Sequence, residues 1–453
     1  MLTATPHTPA PIERPDDPVI GSALGAMDTD AVLAAVRDRF AGTVGSTAVA
    51  CRFVEALYHP RRYVRAAFSL LDDPDVPVNR YWPQGQIIYL HHPVRQPMSR
   101  RGRVVQLGGV GFECYAFPND RRLRGLRRFT GRQEATACWR RWLDGRGDAF
   151  DPDPRSLRRV LIRYVPEQKW MARFRCRGVD HTTGQAGKRS VAVRAADTDA
   201  VMDLAHRHAM LARYARRGAL LCDVPDVVGV DAAVGSIAID WVKHVPLTDA
   251  IRSAGADVVF DRVVEALGSL HDARVAGVVG LTPSAMLDRV KQAADDLVTT
   301  GALSVDRLEH LRGYCNQVAS KMKWSAAGAL LHNDLHTRQI GLRDGRVVFF
   351  DLERLATGDP VVDVANLFVQ LRMVGLRDDF DVSVDESRRF AGAFVAAWRR
   401  RHGDFDRSAF GVCAVVSALE LARGMMRHLR CGWVSTVRSC VDLATELAAD
   451  GWT

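Results

Sequence analysis

The sequence predicts an α+β protein in which a sheet-containing part precedes a mainly helical one. Two observations carry this expectation. Runs with two-residue alternation or continuous apolar character gather between residues 86 and 242, whereas helical spacing dominates beyond Ala250. A chain of 453 residues also exceeds what one ordinary core holds, so two or three lobes are expected.

Residues 1–22 are rich in Pro and Thr with scattered charge and read as a mobile arm; they lack the basic start and apolar stretch of a secretion signal. Residues 29–70 predict helix, with Val32, Val36, Phe40, Val54, Leu57, Val64 and Phe68 at helical spacing. Gln86–Val94 and Arg103–Phe117 predict strands, broken at Gly108-Gly109 and Gly111 in the manner of a hairpin. Arg121–Leu143 then reads as a turn and a helix with Cys138, Trp139 and Trp142 on one side, and 151–154 as a linker or turn. Strands follow at Val160–Tyr164, Trp170–Cys176 and Ser190–Ala195, a helix at Asp197–Arg217, a strand at Ser236–Val242, and a loop opening at Val245-Pro246-Leu247. The expected division is therefore an arm (1–22), an N-terminal region that is helical then β (23–150), a sheet lobe (151–243) and a helical lobe (244–453).

Composition excludes several classes. Hydrophobic residues at 47% and charged residues at 25% describe a soluble globular chain. The most apolar run, Ser408–Met426, is interrupted by Glu420 and Arg423, so it reads as a buried helix and no membrane is expected. Nine cysteines stand singly with no C-x-x-C pair, which argues against a zinc framework and fits reduced thiols in a cytoplasm. The net charge of +9 is uneven: Arg95–Arg146 holds thirteen arginines against four acids. Such a surplus suits either a solvated face or an anion-binding one, although no stacking aromatics or RNA-binding motif accompany it, so no nucleic acid is expected.

One stretch, Leu330–Phe368, carries the chemistry. His332, Asp334, His336 and Gln339 share a short loop, and the Asp344-Gly345 turn joins two small strands, Ile340–Leu342 and Val347–Phe350. Asp351 stands at the end of the second strand. Asp359 and Pro360 then open a helix as N-cap and first helical residue. Phosphoryl transfer needs a carboxylate to orient the attacking hydroxyl and hard oxygen ligands for magnesium. His332, Asp334 and Gln339 match the H-x-D-x-x-x-x-N spacing with Gln in place of Asn, and Asp351 supplies the strand-end acid.

These motifs resemble the aminoglycoside-phosphotransferase family of protein-kinase-like small-molecule kinases, whose core reads H-G-D-x-H-x-x-N, then D-x-[DE], then G-D-P-x-x-D-[LV]-A; here Asn333 stands for the Gly and Gln339 for the Asn. The HxDxHxxQ loop is similar to that of maltokinases and glucosamine kinases. The resemblance implies a bilobal fold with an N-terminal cap-like extension, Asp334 as catalytic base, and Gln339 and Asp351 as Mg2+ ligands with Glu353 assisting. It further implies that Asp363 braces the catalytic loop. His332 is expected to support the loop, while His336 either does the same or lies near the acceptor. Ser236–Val242 resembles the interlobe hinge, placing Ile239, Asp240, Trp241 and Val242 against the adenine of ATP, with GTP also conceivable. The L-x-x-L-H element ending in His271 fits the same family, with His271 expected to be a packed helix-end histidine.

Three positions depart from the pattern. Arg194 stands where a phosphate-gripping lysine is expected, Asp203 replaces the helix Glu that would pair with it, and Asn333 replaces Gly. Lys188 and Lys169 are alternative phosphate contacts, and Gly184 and Gly187 are a weak substitute for a glycine-rich phosphate loop. The expected partner is a small-molecule hydroxyl acceptor. Nine arginines against five acids in Asp385–Arg430 would repel a polycation, so a sugar or amino sugar is favoured over an aminoglycoside antibiotic. The alternatives are a degenerate pseudokinase or binding module, and an anionic-partner binder using the Arg95–Arg146 segment.

Overall fold

The computed structural model describes residues 15–449 apart from 16, 40–47, 73–86, 96–101, 276, 302–303, 320–321, 323, 325–327, 377–379 and 430–431. Most of the expected arm, together with Phe40, Gln86, Arg430 and Cys431, lies outside the described residues.

The chain begins with α1 (Gly21–Ala26) and α2 (Thr29–Arg39), then β1 (Ala50–His59), β2 (Tyr63–Leu71), β3 (Ile87–His92), β4 (Arg103–Leu107) and β5 (Val110–Ala116). Next come α3 (Arg132–Arg146), β6 (Phe150–Pro152), β7 (Arg158–Val165), β8 (Lys169–Asp180), β9 (Ala186–Ala196) and α4 (Thr198–Arg216). Short strands follow: β10 (Cys222–Asp223), β11 (Val227–Asp231), β12 (Ser236–Asp240) and β13 (Val245–Pro246). The remainder comprises α5 (Leu247–Ala254), α6 (Ala256–Asp272), α7 (Pro283–Thr299), α8 (Val305–Ala319), β14 (Ala329–Leu331), β15 (Ile340–Arg343), β16 (Arg346–Phe349) and β17 (Ala356–Gly358). Four helices close the chain: α9 (Val361–Val374), α10 (Val384–His402), α11 (Arg407–Arg427) and α12 (Trp433–Ala449). The fold is α+β, with two compact units whose boundary falls inside α4.

The first unit runs to Ala205 and adds Val227–Trp241 and a short return at 427–431. Its first sheet is antiparallel in the order β1-β2-β3-β5-β4, and its second runs β11-β12-β9-β8-β6, with β7 also paired to β8. The helix expected across 29–70 is thus corrected: it stops at Arg39, and Val54, Leu57, Val64 and Phe68 lie on β1 and β2. Strand β2 is buried along most of its length, so its apolar residues form a near-continuous run that mimics helical spacing. In β8 the period is two: Trp170, Ala172, Phe174 and Cys176 enter a core that α3 covers with Cys138, Trp139 and Trp142. Phe129 stacks on Trp170 with ring centroids 5.4 Å apart. Helix α3 lies so close to β11 that a Cβ on Gly229 would sit 2.4 Å from Trp142.

The Arg95–Arg146 surplus is largely answered within this unit. Arg95 faces Glu167, Arg122 faces Asp197, Arg128 and Arg141 face Asp231, Arg140 faces Asp151, and Arg146 faces Asp240. The acids come from outside the segment, which is why a count within it overstated the free charge.

The second unit comprises His206–Asp226, Val242–Met426 and the chain from Gly432. Its four-stranded sheet runs β10-β16-β15-β13. Asp344 and Gly345, both at positive φ (+51° and +79°), close the β15–β16 hairpin as a two-residue turn of the kind that suits strand twist. Val245-Pro246 is not a loop: it forms β13 opposite Leu342 and Gly341, and α5 starts at Leu247. Gly341 is required where it stands, because a Cβ would meet the His244 ring at 2.5 Å. Strands β14 and β17 pair Leu331 with Ala356, which draws the two ends of the functional stretch together. Helix α10 opens with a full capping box, Ser383 with Glu386. Helix α11 is long and apolar enough to cross a membrane by composition, but most of it is buried inside the unit, as a core helix would be.

Candidate active site

The loop after β14 is held by one buried carboxylate. Asp363, in the first turn of α9, accepts the His332 backbone N–H at Oδ2 (2.8 Å) and the Asn333 N–H at Oδ1 (2.7 Å). Its Oδ2 also lies 3.1 Å from His271 Nε2 at the end of α6. A carboxylate only accepts, so His271 carries its proton on Nε2. Asp359 caps the same helix by accepting the Val361 N–H at 2.9 Å; the helix proper starts one residue after Pro360, whose backbone is already helical. Asn333 adopts φ +58°, the left-handed conformation that glycine fills with ease and asparagine tolerates. Its carboxamide bridges outward, donating to the Arg354 carbonyl and accepting from Arg289 Nη1 at 3.1 Å.

His332 is fully buried, and its Nε2 donates to the Phe350 carbonyl at 2.9 Å, tying the loop to the end of β16. His336 is partly exposed; its Nδ1 accepts the Arg338 N–H at 3.2 Å and so caps the short helical turn Thr337–Gln339. Gln339 is buried, and its backbone joins β16 through Phe350 N–H. Asp351 follows at φ +54°, a left-handed acid at a strand end. Glu353, two residues on, contributes its carbonyl to Arg207.

Asp334 lies among these groups. Burial pushes its carboxyl above the ordinary value; Arg354 and His332 pull it down, the nearby Asp351 carboxylate adds to the rise, and Gln339 donates to it. With its amide nitrogen committed there, Gln339 leaves Oε1 buried with no hydrogen-bond partner. Arg354 Nη1 stands 3.5 Å from Asp334 Oδ1, and its Nη2 reaches toward Glu420, which also faces Arg289. The structure therefore brings His332, Asp334, Gln339, Asp351 and Asp363 together. Arg354 was missed by sequence reading; its one signal was its place directly after D-L-E.

Among the described residues no group of three or more His, Cys, Asp or Glu side chains is gathered in a form that would hold a metal by itself. The donor set still fits magnesium, which takes one or two carboxylates and other hard oxygens together with substrate phosphates. The orphaned Gln339 Oε1 near the Asp334 carboxylate is such an oxygen.

The other expected contacts lie mainly on the first unit. Arg194 sits on β9 opposite Met171, on the face away from the core that holds Val191, Val193 and Ala195. Asp203 follows on α4. Lys188 pairs with Arg177 toward the other end of the hairpin, about 20 Å from Arg194 for six residues of strand. Lys169, opposite Ala196, is at the Arg194 end and on the same face. Gly184, in the exposed β8–β9 connection, and Gly187, at the start of β9, also lie at the far end. Ile237 and Ile239 of β12 pack toward α4, the Asp240 carboxylate turns to Arg146 (3.2 Å), and Trp241 N–H donates to the Ser190 carbonyl. Arg173 lies 4.5 Å over the Trp241 ring. Val242 begins the second unit.

The profile of the phosphotransferase enzyme family (APH) matches residues 177–410, more than half of the chain. No curated protein matches it in sequence. Among solved structures, a thermostable mutant of aminoglycoside phosphotransferase APH(4)-Ia with ADP and hygromycin B is similar at 13% identity and TM-score 0.48, covering 70% of this chain and 100% of that one. The streptomycin–ATP complex of APH(2″)-IIa gives 13%, 0.44, 69% and 97%. Amicoumacin kinase hAmiN with AMP-PNP, Ca2+ and Ami gives 10%, 0.45, 68% and 92%. Overlaps this loose leave the assignment to the profile and to the ordered motifs it spans: the chain belongs to the APH phosphotransferase enzyme family and is a small-molecule kinase.

Proposed function

We propose that the chain transfers the γ-phosphoryl group of ATP to a hydroxyl of a sugar or amino sugar, with Asp334 as the base that orients and accepts the hydroxyl proton. The observation that carries this reading is the meeting of Asp334, the orphaned Gln339 Oε1 and the strand-end Asp351 around one loop. Such an arrangement suits a reaction in which positioning and charge stabilisation supply most of the rate. Magnesium, when bound, would neutralise and orient the phosphates, with Asp351 and Gln339 holding it and Glu353 nearby. Arg194 and Lys169 would receive phosphate oxygens; an arginine keeps the charge of the usual lysine and offers a bidentate fork. Residues Ile239–Val242 would meet the nucleobase through their backbone, and GTP could serve the same contacts.

The acceptor preference is supported by Arg354 rather than by the arginines of α10 and α11. Those are paired with acids, Arg400 with Asp261, Arg401 with Glu265 and Arg423 with Asp296, so they form no bare cationic wall. Arg354 stands beside the base and is 46% exposed at its side chain, so a polycation approaching Asp334 would meet a like charge.

The test is acceptor-stimulated, magnesium-dependent ATP consumption across sugars, amino sugars and aminoglycosides. Asp334→Asn and Asp351→Ala should each lower turnover at least about a hundredfold. Full turnover in both variants would remove the assignment.

A further inference from the structure

The turn joining β7 to β8 has a feature that the proposed reaction does not use. It reads Pro166-Glu167-Gln168, without glycine, yet Glu167 holds a left-handed backbone at φ +61°. A non-glycine residue persists there only where its surroundings hold it. Those surroundings are the five-stranded sheet. Arg65 of β2 and His91 of β3 are a directly opposed cross-strand pair, and both are buried with Glu167. Glu167 Oε2 lies 3.3 Å from Arg65 Nη2 and 3.7 Å from Arg95 Nη1, and Oε1 lies 3.2 Å from His91 Nδ1. Tyr63 closes the outer side, with the Arg65 guanidinium 4.3 Å over its ring and His91 stacked at 5.9 Å. The backbone is held separately: Glu167 N–H donates at 3.0 Å to Asp120 Oδ2, the oxygen that also accepts from Tyr164 Oη. Burial works against the Glu167 charge, and His91, Arg65 and Arg95 outweigh it, holding the carboxyl below its ordinary value.

Strand register places this turn at the Arg194 end of the sheet, since Met171 faces Arg194 and Lys169 faces Ala196. Kinases commonly cover the phosphates with a glycine-rich hairpin. Here the hairpin at the corresponding end has no glycine and is clamped by buried charge. The geometry points to a positioning role for Glu167: through it the N-terminal sheet fixes the β7–β8 turn beside Arg194 and Lys169 and so sets the affinity for a nucleoside triphosphate. This rests on the phosphate-binding reading of Arg194.

The test uses the full chain with Glu167→Gln, Glu167→Gly, Arg65→Met and the double variant Arg65→Met/Glu167→Met. Two quantities are read: hydrogen exchange at the Glu167, Gln168 and Lys169 amides, and the Kd for magnesium–ATP by calorimetry. Arg65→Met should accelerate exchange in the turn and weaken ATP binding about tenfold or more, although it lies on another sheet. Glu167→Gly relieves the left-handed backbone while deleting the clasp, so it should keep its Tm and still weaken ATP. The double variant should bind ATP no worse than either single change, because the two act through one contact. Unchanged turn exchange in Arg65→Met and Glu167→Gln overturns the clasp. Faster exchange with an unchanged Kd overturns its link to the nucleotide and leaves the cluster a purely structural one. A parent protein that binds no ATP sinks the phosphotransfer reading and the affinity link together, while the exchange result still decides the clasp.

Discussion

Replacing Asp363 by alanine tests the frame of the site independently of any substrate. The carboxylate is fully buried and receives two backbone N–H groups, from His332 and Asn333, and faces His271 Nε2. Removing it leaves three donors without acceptors in a dry interior. Each such group costs roughly 1–3 kcal/mol, so about 3–6 kcal/mol is expected after allowing for the released desolvation of the acid. The lost complement to the α9 N-terminus adds on the order of 0.5 kcal/mol. With a urea slope of about 2–3 kcal/mol/M, the unfolding midpoint of the second unit should fall by about 1–3 M. Asp363→Asn should fall between, because one oxygen survives but an amide N–H then faces a backbone N–H. Urea denaturation gives the midpoint, and hydrogen exchange at the His332 and Asn333 amides tests the cause. A midpoint within about 0.3 M of the parent, with those two amides still protected, would refute the claim that Asp363 holds the loop.

Other consequences are as direct. Glu55 ion-pairs with Arg163 (2.5 Å) and His428 (3.0 Å); despite burial, these partners hold its carboxyl down at about 2. Because the folded value lies below the unfolded one, the stabilisation is present above about pH 4.5 and is lost as pH falls toward 2. Acid titration of stability should therefore show a loss of about 2–3 kcal/mol in that window that Glu55→Gln abolishes. Gly341→Ala should destabilise the β13–β15 pairing by about 1–3 kcal/mol, as the new methyl displaces the His244 ring; a thermal melt unchanged within error would contradict the 2.5 Å approach. Asn333→Gly should leave the loop conformation intact, since φ +58° suits glycine, but should loosen Arg289 and Arg354, whose Asn333 contacts it deletes. A crystal structure of the variant with both arginines unmoved would count against that.

Much of this was legible from residues alone. The Asp344-Gly345 hairpin, the Asp359 cap and the convergence of His332, Asp334, Gln339 and Asp351 all follow from local spacing, where turn chemistry and short-range geometry decide. Elsewhere local spacing fell short. Strands β1 and β2 were hidden because burial along β2 removes the polar alternation that marks a strand. Register was equally invisible, so Lys188 and Lys169 stood as equal alternatives although the hairpin puts them at opposite ends. The Glu167 turn gave no signal, because Arg65 and His91, which pair with its side chain, and Asp120, which accepts its backbone N–H, all lie far earlier in the chain. Arg354 could not be tied to Asp334 without the fold.

The cysteines have a practical consequence. Of the eight in the described residues, seven are buried, and the partly exposed Cys51 has its thiol pushed up to about 12 by burial and by Asp30 and Asp28. Alkylating reagents attack an accessible thiolate, and seven of these thiols are buried away from reagents while the eighth is held protonated at neutral pH. A single cysteine introduced on an exposed strand or helix face would thus react far faster than these eight. Fluorophores or spin labels could then follow motion within either unit with those eight left in place.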